Sequence, residues 1–167
     1  DINILGSLYE SGQLKKDRFI ICNGFKRPQY IENIHNLIKS GFTNVIPILD
    51  NIFELDQLLS DSNLKFNIGI RIASEEEPKF TFYTSRLGIR QNNIINYYKS
   101  KIQNNPNVKL KMLHFFINTG IKDTLYYWNE LNKAVSLYCE LKQICPDLDC
   151  LNIGGGFPIQ NYLDFEY

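Results

Sequence analysis

The chain has 167 residues, of which 44% are hydrophobic and 22% are charged, and its 18 Lys and Arg residues balance its 18 Asp and Glu residues. This composition is typical of a globular domain with an apolar core, and the balanced charge offers no basic surface for a nucleic-acid backbone. The longest apolar stretch, residues 112–117, is interrupted by His114 and is far shorter than the roughly 20 residues that cross a bilayer. We therefore expect neither nucleic acid nor a membrane as a partner.

Short apolar runs alternate with stretches of helical period from the start of the chain. Residues 19–22 predict a buried strand. A helix follows Pro28, because apolar residues recur there at three- and four-residue spacing, and Gly41 is well placed to end it. A second strand at residues 45–49 precedes a short helix that Asp50 is placed to cap.

The alternation continues to the last strand. Residues 66–72 predict a third strand, residues 94–102 a helix and residues 110–117 a fourth strand. A long helix is predicted over residues 124–144, with an inner face made of Tyr127, Leu131, Val135, Tyr138 and Leu141. A fifth strand at residues 151–153 runs into three glycines.

Four helical crossovers between five strands require parallel strands. A doubly wound open sheet and most of a TIM-type barrel both fit this pattern, and the pattern does not choose between them. In both architectures ligands bind at the carboxyl ends of the strands. The candidate functional residues are therefore those at or just after each strand end: Asn23, Asp50, Arg71, residues 116–119 and residues 154–157.

Gly154, Gly155 and Gly156 give the sharpest signal in the sequence. Their backbone N–H groups are not shielded by side chains, and glycine accepts the positive φ angles that a phosphate cradle requires. A tight turn would explain one glycine but not three, so the run favours anion binding. It is neither a Walker loop nor a GxGxxG fingerprint.

The four cysteines, Cys22, Cys139, Cys145 and Cys150, show no CxxC spacing. Their pattern favours reduced and mostly buried thiols in a cytoplasmic protein over a disulfide or zinc role.

Several segments resemble one enzyme family. Residues 152–158, NIGGGFP, resemble the (D/N)IGGGFP motif of the ornithine/diaminopimelate/arginine decarboxylases. Residues 21–26, ICNGFK, with residues 30–31, YI, resemble the CNGYK…EYI segment of the biosynthetic arginine decarboxylases in that family. Residues 69–74, GIRIAS, and 85–88, SRLG, are similar to its RIA strand and KFG loop. The resemblance favours the barrel: an α/β chain forming part of a (β/α)8 TIM-type barrel, with about five parallel strands and crossover helices.

The resemblance implies pyridoxal 5′-phosphate (PLP) as the cofactor. Gly154, Gly155 and Gly156 would then hold the phosphate. Arg71 would point toward the cofactor, with a strand-end salt bridge as its alternative role. Arg86 stands where the family usually has a lysine that pairs across a dimer, which implies a homodimer or a higher homo-oligomer.

The sequence departs from the family at residues 114–119, HFFINT, where relatives typically read HFHxGS. By the resemblance, Phe116 stands at the position of the histidine that stacks on the cofactor ring, and Thr119 at that of the serine that meets the phosphate. Phe116 can stack but cannot exchange a proton. His114 lies two residues earlier on the same side of the strand, so it is either a partner in this role or a hydrogen-bonded histidine of the barrel interior.

The activity that the resemblance implies is the decarboxylation of L-arginine to agmatine and CO₂, in polyamine and spermidine biosynthesis. The alternatives are a decarboxylase of the same fold acting on ornithine, lysine, diaminopimelate or carboxynorspermidine, and a non-catalytic regulatory homologue.

Residues 1–167 are expected to be only part of the PLP-binding barrel domain. In the family, the lysine that bonds to PLP lies on the first barrel strand, in a segment like YAVK(C/A)N. We expect that strand before Asp1, and the last barrel strand and a β-domain after Tyr167. The chain is therefore expected to carry no catalytic residue and to be inactive alone.

Overall fold

The computed structural model describes residues 2–60, 63–73, 87–117 and 124–155. The strands are β1 Ile20–Cys22, β2 Val45–Leu49, β3 Phe66–Ala73, β4 Ile89–Arg90, β5 Val108–His114 and β6 Cys150–Asn152. The helices are α1 Ile2–Glu10, α2 Pro28–Lys39, α3 Glu54–Leu58, α4 Gln91–Tyr97, which continues as a π-helical turn Tyr98–Ile102, and α5 Thr124–Ile144. Within these ranges no helix combines the length and apolar character that crossing a membrane requires.

The five main strands form one parallel sheet in the order β1-β2-β3-β5-β6, and the two-residue strand β4 pairs with the end of β3. Strand order thus follows chain order without a reversal. A doubly wound sheet reverses its order at a switch point, whereas a (β/α) barrel adds each strand beside the previous one. The topology therefore decides for part of a barrel, as expected from the family resemblance.

Two apolar clusters lie on opposite faces of the sheet. The larger one fills the space between the strands and the helices and includes Ile34, Leu55, Ile70 and Ile94. The smaller one, which we call the inner cluster, consists of Ile46, Ile48 and Met112, with the partly buried Ile21 and Cys150 packed against it. Side chains alternate across a strand, so the inner cluster is the layer that faces the barrel axis.

Gly69 leaves room for the inner cluster. A Cβ atom at this position would lie 2.3 Å from Ile48 Cδ1 and 3.2 Å from the carbonyl oxygen of Met112. Because Gly69 has no side chain, Ile48 can fill the inner face of the sheet at this position.

The helices and strands predicted from the sequence are present, with differences at their ends. The expectation that Asp50 caps α3 is wrong: α3 begins at Glu54 after Phe53, and Asp50 is buried beside Arg71. Strand β5 ends at His114, three residues before the predicted end. Helix α1 and strand β4 were not predicted; α1 packs Leu5 against the core and the Tyr9 ring in an edge contact against Phe42, and β4 has two residues.

The inner face predicted for α5 is wrong in part. Ala134, Leu137 and Leu141 are buried, whereas Val135 is 41% exposed. Apolar residues occur around most of this helix, so their spacing alone does not fix which side packs on the sheet. The burial expected for the cysteines is found at Cys22 and Cys145. Cys150 is half-buried and Cys139 is exposed, and all four are free.

Candidate functional site

Four polar residues form one row across the carboxyl ends of the strands. On β3 the residues at 66, 68, 70 and 72 pack against the helices, so Arg71 faces the barrel axis. In the strand register Arg71 pairs with His114, and His114 pairs with Asn152. Asp50 follows Leu49, the register partner of Ile70, and therefore lies at the level of Arg71. The row lies directly above the inner cluster.

A cavity of about 450 Å³ opens above this row. Its described lining combines one cation, one imidazole, one apolar ring, two side-chain amides and two glycines, from the ends of four strands: Asn23, Arg71, His114, Phe116, Asn152, Gly154 and Gly155. This volume lies within the range of about 300–1,000 Å³ typical of small-molecule sites.

Arg71 contacts two neighbours at the floor of the cavity. Its Nη1 lies 3.7 Å from Asp50 Oδ1, and its Cζ lies 5.3 Å from the centre of the Phe116 ring. The first contact is the strand-end salt bridge expected as the alternative role of Arg71, and the second is a cation–π contact. Asp50 is 1% exposed, and among the described residues no hydrogen-bond donor reaches either of its carboxylate oxygens.

His114 stacks on Phe116, with ring centres 6.4 Å apart and planes at 18°. Burial lowers the pKa of His114 below its ordinary value of 6.5, and the positive charge of Arg71 lowers it further, while hydrogen bonds to Asn152 act in the opposite direction. Its Nδ1 is buried and has no hydrogen-bond partner among the described residues. The lowered pKa favours the neutral form of the imidazole beside the phenyl ring.

Asn152 shapes the turn that follows β6. Its backbone carbonyl accepts a hydrogen bond from the Phe115 N–H at 2.7 Å, and its side-chain Oδ1 accepts one from the Gly154 N–H at 2.8 Å. Gly154 has φ 74°, and a Cβ atom there would lie 2.8 Å from the Phe115 carbonyl oxygen. At Gly155 a Cβ atom would meet no atom of the described residues within 4 Å. The first glycine is thus required by the fold, and the second presents open backbone toward the cavity.

Two lysines lie near strands but do not line the cavity. Lys26 is fully buried, and its Nζ donates to the carbonyl oxygens of Gly24 and Ile48 and lies 3.4 Å from Glu54 Oε2. Lys111 lies 3.1 Å from Asp149 on the outside. Among the seven described lining residues there is no lysine.

The structure gathers most of the predicted site residues in one place. Arg71, His114, Phe116, Gly154 and Gly155 all line the cavity, whereas Gly156, Thr119 and Arg86 lie outside the described residues.

Sequence reasoning placed Asn23 and Asp50 only among the strand-end candidates and gave Asn152 no role of its own. A signal for all three nevertheless exists in the sequence. They lie two residues after Ile21, Ile48 and Cys150, respectively, whose side chains face the barrel axis. Because side chains alternate along an extended chain, a residue two positions later faces the same axis.

The family model and the curated relatives that match this chain point to the same family. Residues 10–166 match the family model described as "Pyridoxal-dependent decarboxylase, pyridoxal binding domain". Among curated proteins, the chain is 29% identical over 150 residues to biosynthetic arginine decarboxylase 2 of Synechocystis, and 28% identical over 151 residues to arginine decarboxylase 2 of Arabidopsis thaliana. These alignments cover 84% and 86% of the chain but only 23% and 21% of the relatives. The chain thus spans less than a quarter of their length.

Solved structures share the fold. The biosynthetic arginine decarboxylase SpeA of Campylobacter jejuni superposes with a TM-score of 0.68 at 22% identity, covering 96% of this chain and 27% of that one. The lysine decarboxylase of Selenomonas ruminantium gives a TM-score of 0.69 at 18% identity, covering 98% and 40%. An arginine decarboxylase of Paramecium bursaria Chlorella virus, solved with agmatine, gives 0.64 at 19% identity, covering 93% and 40%.

Proposed function

The chain belongs to the pyridoxal-dependent decarboxylases, in their pyridoxal-binding domain, and from this premise we propose that it forms the cofactor-binding part of an arginine decarboxylase. The whole protein would convert L-arginine to agmatine and CO₂, in polyamine and spermidine biosynthesis. The curated relatives named above support arginine as the substrate.

The observation that carries the proposal is the fit between the cavity and PLP. A phosphate needs backbone N–H groups that it can approach closely, and at Gly155 no other described residue comes within 4 Å of where a Cβ atom would lie. Arg71 supplies a positive charge for an anionic ligand, and the Phe116 ring in the cavity wall supplies an apolar surface for an aromatic one. We propose that these residues hold PLP together with Gly154, His114, and the undescribed Gly156 and Thr119.

In this proposal the residues of the chain bind and orient, and do not exchange protons with the substrate. Bound PLP supplies the electron sink that stabilises the carbanion left when CO₂ departs. Phe116 holds the plane of the ring, Arg71 and the glycine turn fix its position, and the neutral His114 packs beside Phe116 without adding charge. The lysine that bonds to PLP is proposed to lie in another segment of the whole protein.

The test uses the full-length protein that contains this chain. Purified protein is saturated with PLP, and release of CO₂ is measured separately with L-arginine, L-ornithine, L-lysine, diaminopimelate and carboxynorspermidine. We expect release from arginine with the highest kcat/KM, and agmatine as the product. A higher kcat/KM with another amino acid would move the assignment to a different decarboxylase of the same fold, carboxynorspermidine included.

Two departures from the family pattern favour a second candidate, a non-catalytic regulatory homologue. By the resemblance, Phe116 stands at the position of the stacking histidine and cannot take or give a proton, and Asn118 stands at the position of the glycine that relatives have two residues later. PLP binding without CO₂ release from any of these substrates would support this candidate.

We further propose that the protein is cytoplasmic, which the four free cysteines support. A homodimer or higher homo-oligomer, with Arg86 at its interface, follows from the family resemblance and is tested by light scattering of the full-length protein.

A further inference from the structure

A buried cluster of four charges lies beside the cavity. Lys26 and Glu54 are 0% and 1% exposed and form an ion pair at 3.4 Å, and Asp50 and Arg71 are 1% and 12% exposed at 3.7 Å. Two cations and two carboxylates balance. Because isolated buried charges are costly, each member is retained only with its partners in place.

Glu54 joins the two pairs. Its Oε1 accepts a hydrogen bond from the Lys26 backbone N–H at 3.2 Å, and its Oε2 accepts one from the Asp50 backbone N–H at 2.8 Å. One carboxylate on the first turn of α3 therefore ties the segment after β1 to the residue after β2.

Asp50 is also held from its other side. Its carbonyl oxygen accepts a hydrogen bond from the Gly88 N–H at 2.7 Å. With its N–H and carbonyl both bonded, the Asp50 backbone has a fixed orientation, and its side chain is directed at Arg71. Arg71 in turn lies against Phe116, the ring in the cavity wall.

We infer that Glu54 is a positioning residue for the cavity: it holds Asp50, and Asp50 holds Arg71 in the place where the ligand binds. Glu54 itself does not line the cavity. The inference rests on the proposed function in that PLP is taken as the ligand. It assigns to Lys26 the role of neutralising and orienting Glu54, which accounts for a fully buried amine that bonds to carbonyl oxygens and a carboxylate.

The experiment is a double-mutant cycle in the full-length protein, with the dissociation constant of PLP measured by equilibrium dialysis. We expect Glu54→Gln to weaken PLP binding about tenfold, the size of one lost hydrogen bond to a charged group. If Glu54 acts through Arg71, the same substitution in an Arg71→Met protein changes the dissociation constant by no more than roughly twofold. A merely structural effect would be equal in both backgrounds.

Leu58→Val is the matched control. Leu58 lies on α3, one turn after Glu54, is fully buried, and packs in the larger core cluster. Its substitution loosens the same helix without removing a hydrogen bond from Asp50. We expect PLP affinity to be unchanged by this variant, with a lower melting temperature.

Asp50→Asn tests the next link if Glu54→Gln does not fold, because it keeps the shape of the side chain and removes the charge facing Arg71. Its effect should likewise vanish in the Arg71→Met background. Equal effects in the two backgrounds, or no effect of either substitution, would overturn the inference while the proposed function stands. Failure of the unmodified protein to bind PLP would remove both.

Discussion

Gly154 and Gly155 are neighbours in the turn after β6, but a side chain at each position would meet different surroundings. At Gly154 the left-handed backbone and the 2.8 Å approach to the Phe115 carbonyl leave no room for a Cβ atom. At Gly155 the space is open. Substitution of the first therefore tests the fold, and substitution of the second tests the ligand.

We predict that Gly155→Asp in the full-length protein lowers PLP affinity far more than it lowers stability. The new carboxylate would repel the phosphate where it approaches the backbone N–H groups. Gly155→Ala is the control for the Cβ atom alone and should change the melting temperature little. The check is a PLP titration of both variants beside thermal unfolding of the cofactor-free proteins. A titration of Gly155→Asp that matches the unmodified protein contradicts the assignment of the phosphate site.

His114 gives the row of polar residues a pH dependence. Its pKa is below the ordinary 6.5 when folded, through burial and through Arg71. As pH falls, the unfolded chain binds a proton at this histidine before the folded one does. The neutral form of His114 therefore contributes to the free energy of unfolding in full when the pH is above the pKa that this histidine has in the unfolded chain. This contribution is lost as the pH falls from about 6.5 toward the lower pKa of His114 in the folded protein.

We predict that the free energy of unfolding decreases as the pH falls from about 7.5 to 5.5, and that this decrease is smaller in a His114→Gln protein than in the unmodified protein. Urea unfolding of both proteins at a series of pH values measures this difference, and His35, the other histidine, is common to both. An NMR titration should place the midpoint of His114 below 6.5 and show that it rises in Arg71→Met. Identical pH dependence of the two stabilities would show that His114 does not carry the effect.

Among the strands, the packing of β2 against β3 depends on the absence of a side chain at Gly69. Ile48 extends over Gly69 on the inner face, and the nearest atom to a Cβ at that position is the Ile48 Cδ1 atom, at 2.3 Å. The remaining neighbours, the Met112 carbonyl oxygen and Cβ at 3.2 and 3.3 Å, require smaller adjustments. Most of the steric conflict therefore lies in one methyl group.

We predict that Gly69→Ala destabilises the full-length protein by about 1–3 kcal/mol, the usual cost of overpacking a core. Valine lacks the Cδ1 atom, so Gly69→Ala combined with Ile48→Val should be more stable than Gly69→Ala alone. Denaturant unfolding of the two single variants and the double variant gives the coupling energy. Additive losses would mean that backbone contacts, and not Ile48, limit the space.

For the molecule as a whole, the described sheet has two edges. Strand β1 pairs only with β2, and β6 pairs only with β5. Phe19 and Ile153, beside these edge strands, are 65% and 39% exposed. A closed barrel has no edges, so within the described sheet β1 and β6 each leave open an edge that a closed barrel would pair.

We predict that the 167-residue chain produced alone self-associates, because unpaired strand edges and exposed apolar side chains favour contact with a second copy. Light scattering with intact-mass measurement on the same sample is the check. A monodisperse monomer with a cooperative thermal transition would contradict this expectation.

We also predict that the isolated chain releases no CO₂ from arginine, ornithine or lysine. Lys26 is ion-paired with Glu54 in the buried cluster, and Lys111 is ion-paired with Asp149 outside the barrel. Neither amine is therefore available to form a covalent bond with PLP. Treatment with PLP and borohydride, followed by peptide mapping, should leave Lys26 unlabelled. Labelling of one lysine together with CO₂ release would show that the active lysine lies within residues 1–167.

The sequence by itself determined the order of the five main strands and of the four helices α2 to α5. The apolar spacing that marks them, every second residue in a strand and every third or fourth in a helix, is a local property of the chain. It also determined the parallel sense of the strands, and the glycine run marked one wall of the cavity. The family resemblance, carried by residues 152–158 and the segments before them, supplied the barrel and PLP.

Only the tertiary structure decided which residues meet. Strand register places Asp50, Arg71, His114 and Asn152 in one row, and register depends on pairing between segments far apart in the chain. For the same reason the sequence predicted Asp50 as a helix cap, whereas the structure shows it buried as the ion-pair partner of Arg71. The hydrogen bonds of Glu54 to the two segments it joins are equally invisible in the sequence, since they arise only when β1, β2 and α3 pack together.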